Sequence, residues 1–255
     1  GECRMKILSF NVLCYGCDGH SWLDRDADVI ATVRNYMPDV FGIQEAHIGW
    51  MGVFRESMDE YDFVGVGRDD GRDEGEFSPV FYRKDKFTLV DKGWFWISET
   101  PDVPSRSWNT ACTRITSWAK LTEKESGKTF VAMNTHLDHR SEEARKNGVR
   151  LINEFAAKLD CPAVITGDFN VSEGKDCYVD MVEGGIFRDS KFAAEKTESY
   201  PTFHPYFHHN EPEDIIDFIF ISDGFEAESY QVIKDKPNGA FPSDHCPIMS
   251  EIHFK

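Results

Sequence analysis

The chain is short of positive charge. Its 255 residues carry 28 Lys and Arg against 45 Asp and Glu, a formal net charge of −17. Such a surface repels polyanions over a Debye length, so avid nonspecific DNA binding is not expected, although a local basic cleft would escape that argument. Long apolar runs are missing as well: none reaches the roughly 18 residues that a membrane-spanning helix needs. There is no Gly-rich phosphate loop closing on Lys-Ser or Lys-Thr, no His-Glu-x-x-His and no Gly-x-Ser-x-Gly elbow, and nucleophilic serine or cysteine chemistry is a poor fit. The seven cysteines (Cys3, Cys14, Cys17, Cys112, Cys161, Cys177, Cys246) are odd in number and sit among apolar neighbours, as packed free thiols do. Cys14-x-x-Cys17 lacks a second pair with which to close a zinc site. The acid-rich stretch from Arg68 to Glu76 lacks the glycine that a calcium loop requires within its ligand run, and reads as a solvated loop.

Core material is ample: 40% of residues are hydrophobic, with 20 Phe and 6 Trp. A chain of this length suits one large domain or two small ones. Polar residues at strand ends are spread from Asn11 to His245 and would be separated by any cut, so a single domain over residues 1–255 is expected. The chain starts at Gly1 rather than Met, which leaves open a removed secretion signal; a soluble protein, cytoplasmic or exported, is expected.

Met5 to Val12 reads as a strand, and Ser21 to Met37 as a helix with Ala27, Ile30, Val33 and Met37 on one face, stopped by Pro38. Strand Val40 to Gln44, a helix near Ile48 to Met58 and strand Tyr61 to Val66 follow. From Val80 the chain turns β-rich: Val80 to Tyr82, Phe87 to Ile97, Arg114 to Leu121 and Thr129 to Thr135, with a hairpin turn at Glu125-Ser126-Gly127-Lys128. Ser141 is placed to cap a helix carrying Ala144, Gly148, Leu151, Ile152, Phe155 and Leu159, which leads into strand Ala163 to Phe169. A polar loop with His204, His208 and His209 precedes strands Ile216 to Ser222, Tyr230 to Ile233 and Pro247 to Phe254. The expected fold class is α/β, with two sheets face to face and helices outside.

What the strands end in is more telling than the strands. Ala163-Val164-Ile165 runs into Thr166-Gly167-Asp168-Phe169-Asn170, delivering a carboxylate and a carboxamide on one face of a strand end. Asn11, Gln44-Glu45, Asn134-Thr135-His136, Asp217 and Asp244-His245 occupy comparable places. A solitary acid there is usually solvated, and a solitary histidine usually structural; their recurrence argues for chemistry. Phosphoester hydrolysis needs a positioned water, a proton acceptor, donors for the developing phosphoryl charge and usually a hard cation bound by oxygen ligands. Glu45 is the strongest metal-ligand candidate, with Asn11 and Asp244 beside it. Asp168 is the candidate to orient and deprotonate water. Asn170 and His136 are candidate phosphate donors, as is the imidazolium of His245, held in one tautomer by Asp217.

In order and spacing, Ser9-Phe10-Asn11, Gln44-Glu45, Asn134-Thr135-His136, Gly167-Asp168-Phe169-Asn170, Ile216-Asp217-Phe218 and Ser243-Asp244-His245-Cys246-Pro247 resemble the endonuclease/exonuclease/phosphatase superfamily, the deoxyribonuclease I-like fold. The resemblance covers Met5 to Ile252. It implies a four-layer α/β sandwich of two mostly antiparallel sheets, and Mg²⁺-dependent cleavage of a phosphate ester, with Mn²⁺ as a substitute. By it, Asn11, Glu45 and Asp244 lie at the metal, Asp168 handles the nucleophile, Asn170 and His136 bind phosphate, and Asp217 pairs with His245. His136 matches deoxyribonucleases, deadenylases and sphingomyelinases, whereas abasic-site endonucleases usually carry Tyr. The segment from Gly65 to Glu76, with Phe81-Tyr82-Arg83, resembles a bacterial branch of the superfamily. Arg114 is a candidate either for a substrate phosphate or for a cross-strand salt bridge, and Trp108, His204 and Phe241 for the leaving-group pocket. The substrate is a phosphate ester, with small, lipid-linked and nucleic-acid leaving groups all open. A catalytically silent phosphate-binding module is the alternative, and it should have lost some of these positions.

Overall fold

The computed structural model describes residues 4–15, 21–204 and 213–255. Cys3, Cys17, His208 and His209 lie outside the described residues. The elements in chain order are β1 (Arg4–Asn11), α1 (Asp26–Tyr36), β2 (Val40–Gln44), α2 (Ile48–Ser57), β3 (Tyr61–Val64), β4 (Val80–Arg83), β5 (Phe87–Trp96), β6 (Ile115–Glu123), β7 (Thr129–His136), α3 (Glu142–Ala156), β8 (Ala163–Asp168), α4 (Asp176–Glu183), β9 (Phe187–Asp189), α5 (Ser190–Ala193), β10 (Lys196–Glu198), β11 (Asp217–Ser222), β12 (Phe225–Val232) and β13 (Ile248–Phe254). They form a seven-stranded sheet ordered β10-β12-β13-β1-β2-β4-β3 and a six-stranded sheet ordered β5-β6-β7-β8-β11-β9.

Strand periodicity of two builds the layers. In β1, Met5 and Ile7 enter the core between the sheets, while Leu8 and Phe10 face the other way, onto Val29 and Val33 of α1 and Trp50 and Phe54 of α2. In β7, Phe130 and Ala132 meet the inter-sheet core, and Val131 and Met133 pack under Val149 and Ile152 of α3 and Met181 of α4. Both faces of each sheet are thus covered, giving the helix–sheet–sheet–helix order of the deoxyribonuclease I-like sandwich. Most ladders are antiparallel, but β1–β2, β7–β8 and, at one edge, β10–β12 run parallel. A parallel pair brings two C-terminal ends to one rim, and each sheet contributes one such pair to the site.

Some sequence expectations shift. The segment expected as one helix from Ser21 breaks into a short 3-10 turn at Trp22–Asp24 and α1 from Asp26. The later start turns Ala27 to solvent, and the buried face is Val29, Ile30, Thr32 and Val33. Met37 ends α1 in the left-handed conformation, with its N–H on the Val33 carbonyl, one residue before Pro38. The α4–β10 region had no reading from the sequence. The turn into β7 is as expected, closed by Gly127 at φ 70° with its N–H on the Glu123 carbonyl. Among the described residues no helix is long and apolar enough to cross a membrane.

Candidate active site

Strand register sets the site. His136 lies opposite Asp168 in the β7–β8 pair, and Asp217 lies opposite Asp168 in the β8–β11 pair, so three titratable groups stand in a row across one sheet rim. On the facing sheet Asn11 pairs with Gln44, and the chain then turns through Glu45 at φ 62°. Asp244 and His245 arrive just ahead of β13. The left-handed turn at Asn170, φ 48°, follows β8 directly.

Beneath this rim, a buried polar layer joins the sheets. Asn134 donates through Nδ2 to the carbonyls of Ile43 (2.7 Å) and Pro79 (2.8 Å), and its Oδ1 accepts from Gln44 Nε2 (2.7 Å) and Thr166 Oγ1 (3.0 Å). Gln44 Nε2 also donates to Ser9 Oγ at 3.2 Å. Gly42 is required here, since a Cβ would lie 2.2 Å from Thr166 Oγ1 and 2.4 Å from Asn134 Cγ. Four bonds satisfy the Asn134 carboxamide completely, so it holds the sheets together rather than facing the cleft.

Above the layer, Asn11 Nδ2 bridges two carboxylates, donating to Glu45 Oε1 (3.1 Å) and Asp168 Oδ2 (3.0 Å), while its Oδ1 accepts from Leu13 N (3.0 Å). Glu45 Oε2 accepts from Cys14 N. Asp168 Oδ1 accepts from Asn170 N at 2.9 Å, and the Asn170 carboxamide is fixed on the Leu137 carbonyl. His136 Nε2 stands 3.4 Å and His245 Nε2 3.7 Å from Asp168 Oδ2. Behind His245, Nδ1 meets Asp217 Oδ2 at 2.8 Å, and Thr202 Oγ1 donates to the same oxygen at 2.6 Å. Glu45, Arg68, Glu76, Arg114, His136, Asp168, Asn170, Asp244 and His245 line one cleft of about 200 Å³.

The electrostatics separate the two imidazoles. Burial, aided by the Arg114 guanidinium, pushes His136 down to about 3 against the pull of Asp168 and Glu45, leaving it neutral. Burial acts in the same direction on His245, but the Asp217 carboxylate bonded to it, with Asp244 and Asp168, outweighs burial and raises it well above the ordinary value. Asp168 is raised by burial and by Asp217, against the opposing His136 and His245. Asp244 is pushed up to about 6, first by burial and then by Glu45 and Asp168. Oxygen donors that repel one another in this way suit a hard divalent cation.

A model of the Endonuclease/Exonuclease/phosphatase family matches residues 8–245. The chain belongs to this family. Among solved structures, an endonuclease/exonuclease/phosphatase family protein of Bacteroides thetaiotaomicron is 34% identical with a TM-score of 0.94, covering 100% of this chain and 99% of that one. A mannosyl-6-phosphatase of the same organism is 34% identical with a TM-score of 0.92, covering 98% of this chain and 100% of that one. The CCR4-Not complex 3'-5'-exoribonuclease subunit of Emericella nidulans is 22% identical over 99% of this chain, which spans only 52% of that protein's length. Membership in the endonuclease/exonuclease/phosphatase family makes the chain a hydrolytic phosphoesterase.

Within the family cleft, the structure brings together Asn11, Glu45, His136, Asp168, Asn170, Asp217, Asp244 and His245. Arg114 lies there too, 3% exposed; its Nη2 meets His139 Nδ1 at 3.0 Å and its Nε lies 3.6 Å from Asp138 Oδ1, while Nη1 has no hydrogen-bond partner among the described residues. Trp108, His204 and Phe241 are not brought to the cleft lining. Trp108 packs against the α3 side of the sandwich and its carbonyl takes the Ser141 hydroxyl that caps α3. Phe241 is 5% exposed in the inter-sheet core with its ring on His204, itself fully buried. Arg68 and Glu76 are cleft residues that sequence reasoning missed. The solvated reading of their loop holds for Asp69, Asp70, Arg72, Asp73 and Glu74 but not for its ends. Arg68 Nη1 bonds Glu76 Oε2, which lies 3.7 Å from His136 Nδ1. The usable signal was glycine spacing: at Gly67 a Cβ would sit 2.3 Å from the Glu74 carbonyl, so the loop doubles back tightly on itself.

Proposed function

We propose that the chain is a divalent-metal-dependent phosphoesterase that releases phosphate from a small ester, with sugar monophosphates as the leading substrate class. The observation that carries this reading is Asp168, a buried carboxylate flanked by Asn11, His136, Asn170 and His245. Burial raises its proton affinity, which suits a group that must take a proton from water. In the proposed step Asp168 orients a water and accepts its proton as the oxygen attacks phosphorus; the ester P–O bond breaks and the leaving oxygen departs as an alkoxide that takes a proton from solvent water to become the alcohol. The His245 imidazolium, braced by Asp217, the neutral His136 N–H and the buried Arg114 guanidinium hold the phosphoryl oxygens as charge builds. Glu45 and Asp244, with Asn11 alongside, would hold Mg²⁺ or Mn²⁺. Asp168, Asp217 and His245 also converge, but the last two are engaged with each other. A bound cation neutralises phosphoryl charge and lowers the barrier to attack.

A cleft of about 200 Å³ suits one phosphoryl group, the net charge of −17 disfavours a polyanionic substrate, and likeness to a mannosyl-6-phosphatase supports a sugar phosphate. With side chains drawn from Asn11 to His245, residues 1–255 act as a single catalytic domain. The test is Mg²⁺-dependent phosphate release from hexose phosphates, nucleotides and oligonucleotides. Asp168→Asn should lower turnover by on the order of 10² or more; near-normal turnover would remove Asp168 from this role.

A further inference from the structure

The cleft continues past Arg68 and Glu76. The same two side chains wall a second basin of about 470 Å³, completed by Tyr15, Trp22, His47, Asp69 and Asp73. A substrate with its phosphorus at Asp168 finds room for its leaving group there, and the lining specifies what kind of group fits.

One side is an aromatic platform. Tyr15 is 68% exposed, yet its ring stacks on His47 at 5.6 Å and 24°, and Trp22 meets the same imidazole edge-on at 4.8 Å. His47 is anchored in turn, its Nδ1 accepting from Gly49 N at 3.0 Å. The other side is a set of acceptors on a firm frame. The loop is laced by Gly67 N to the Arg72 carbonyl (2.8 Å), Arg68 N to Glu76 (3.1 Å) and Asp69 N to Glu74 (3.0 Å). Asp70 spends its carboxylate inside the loop, on Arg72 N and Glu74 N. Asp69 and Asp73 have no hydrogen-bond or ion-pair partner for their carboxylates among the described residues, and both are exposed.

Charge then narrows the choice. Arg68 is the sole Lys or Arg in the lining and is already paired with Glu76. His47 Nδ1 accepts the Gly49 N–H, the lone pair of a neutral imidazole, so it adds no cation. Asp69 and Asp73 are left unbalanced, and a second phosphate or a continuing nucleotide backbone would be repelled. A ring with an apolar face and several hydroxyl donors suits both walls.

We propose that this basin is the leaving-group subsite, and that it selects an uncharged polyhydroxylated sugar ring carrying one phosphate, stacked on Tyr15 and donating hydroxyls to Asp69 and Asp73. The inference rests on the phosphoesterase reading above and adds the residues that set specificity.

The test compares kcat/KM for mannose 6-phosphate, glucose 6-phosphate, p-nitrophenyl phosphate and a dinucleotide, in wild type and in the double variant Asp69→Ala/Asp73→Ala. An aryl group stacks but offers no hydroxyls. The ratio of hexose-phosphate to aryl-phosphate kcat/KM should fall 10- to 100-fold in the double variant, on the order of one or two charge-assisted hydrogen bonds. Tyr15→Ala should raise KM for both substrates. An unchanged ratio, or wild-type preference for the dinucleotide, overturns the subsite. Should wild type turn over nothing, the phosphoesterase reading itself fails. The subsite is then judged by saturation-transfer NMR with glucose 6-phosphate in EDTA: ring-proton transfer in wild type that is lost in Tyr15→Ala supports it, and absence of transfer in wild type overturns it.

Discussion

Asn134 provides the sharpest stability prediction. Replacing it with Ala removes the four hydrogen bonds that join the sheets beneath the site. Two partners are cushioned: Gln44 Nε2 keeps Ser9 Oγ, and Thr166 Oγ1 keeps the Met133 carbonyl at 3.3 Å. The carbonyls of Ile43 and Pro79 lose the Asn134 donor in a fully buried setting. At about 1–3 kcal/mol for each buried group left short, the cost is roughly 2–6 kcal/mol, a large share of the ~5–15 kcal/mol that stabilises a domain. Urea unfolding of wild type and Asn134→Ala, followed by tryptophan fluorescence, should show a midpoint shift equivalent to about 4 kcal/mol with the slope unchanged. A loss below about 1 kcal/mol would refute the claim that this carboxamide joins the sheets.

Gly42→Ala should destabilise by about 3 kcal/mol or more, because the new methyl overlaps Thr166 and Asn134; a melting temperature within a degree or two of wild type would contradict the packing. Asp189, buried behind α4 with Tyr178 Oη donating to it at 2.9 Å, is pushed up to about 6 mainly by burial. Because its folded value lies above its unfolded one, its stabilising contribution is full below about pH 4 and is lost as pH rises through 6, about 3 kcal/mol at most. Asp189→Asn should remove that slope from the difference between unfolding curves at pH 4.5 and 6.5. Asp217→Asn takes away the carboxylate that outweighs burial at His245, so the imidazole's titration should move downward by NMR, with turnover reduced on the order of 10². Turnover should vanish in EDTA and return with Mg²⁺ or Mn²⁺.

Much of the site was legible because strand alternation and burial act together. In Asp168-Phe169-Asn170 the middle residue is fully buried under α4 and the outer two face the cleft; strand alternation sets Asp168 against Phe169, and the left-handed turn at Asn170 aims its side chain back to the cleft. The fold class followed from short apolar strands and the capped, amphipathic α3. What stayed hidden depended on tertiary position. Asn134 and His136 share a strand face, yet one lies inside the sandwich and the other at its mouth, a difference of depth that no spacing encodes. Trp108 and Phe241 are large aromatics near the motifs, and composition does not say whether such a ring lines a cleft or fills a core. Helix α4 has only eight residues, with Lys175 at its N-cap and no side-chain cap, so neither a capping residue nor a sustained period announced it. Arg68 and Glu76 are held in the cleft by a backbone-laced loop whose acidic composition resembles solvated surface.

The central claim is that Asp168 and its neighbours hydrolyse a small phosphate ester. Its most direct test is Mg²⁺-dependent release of inorganic phosphate from hexose monophosphates, with Asp168→Asn as the blank and a single-stranded oligonucleotide as competitor. Hexose-phosphate turnover that disappears in the blank and is little affected by the oligonucleotide is the predicted result. Equal phosphate release by wild type and Asp168→Asn, or cleavage confined to the oligonucleotide, would contradict it.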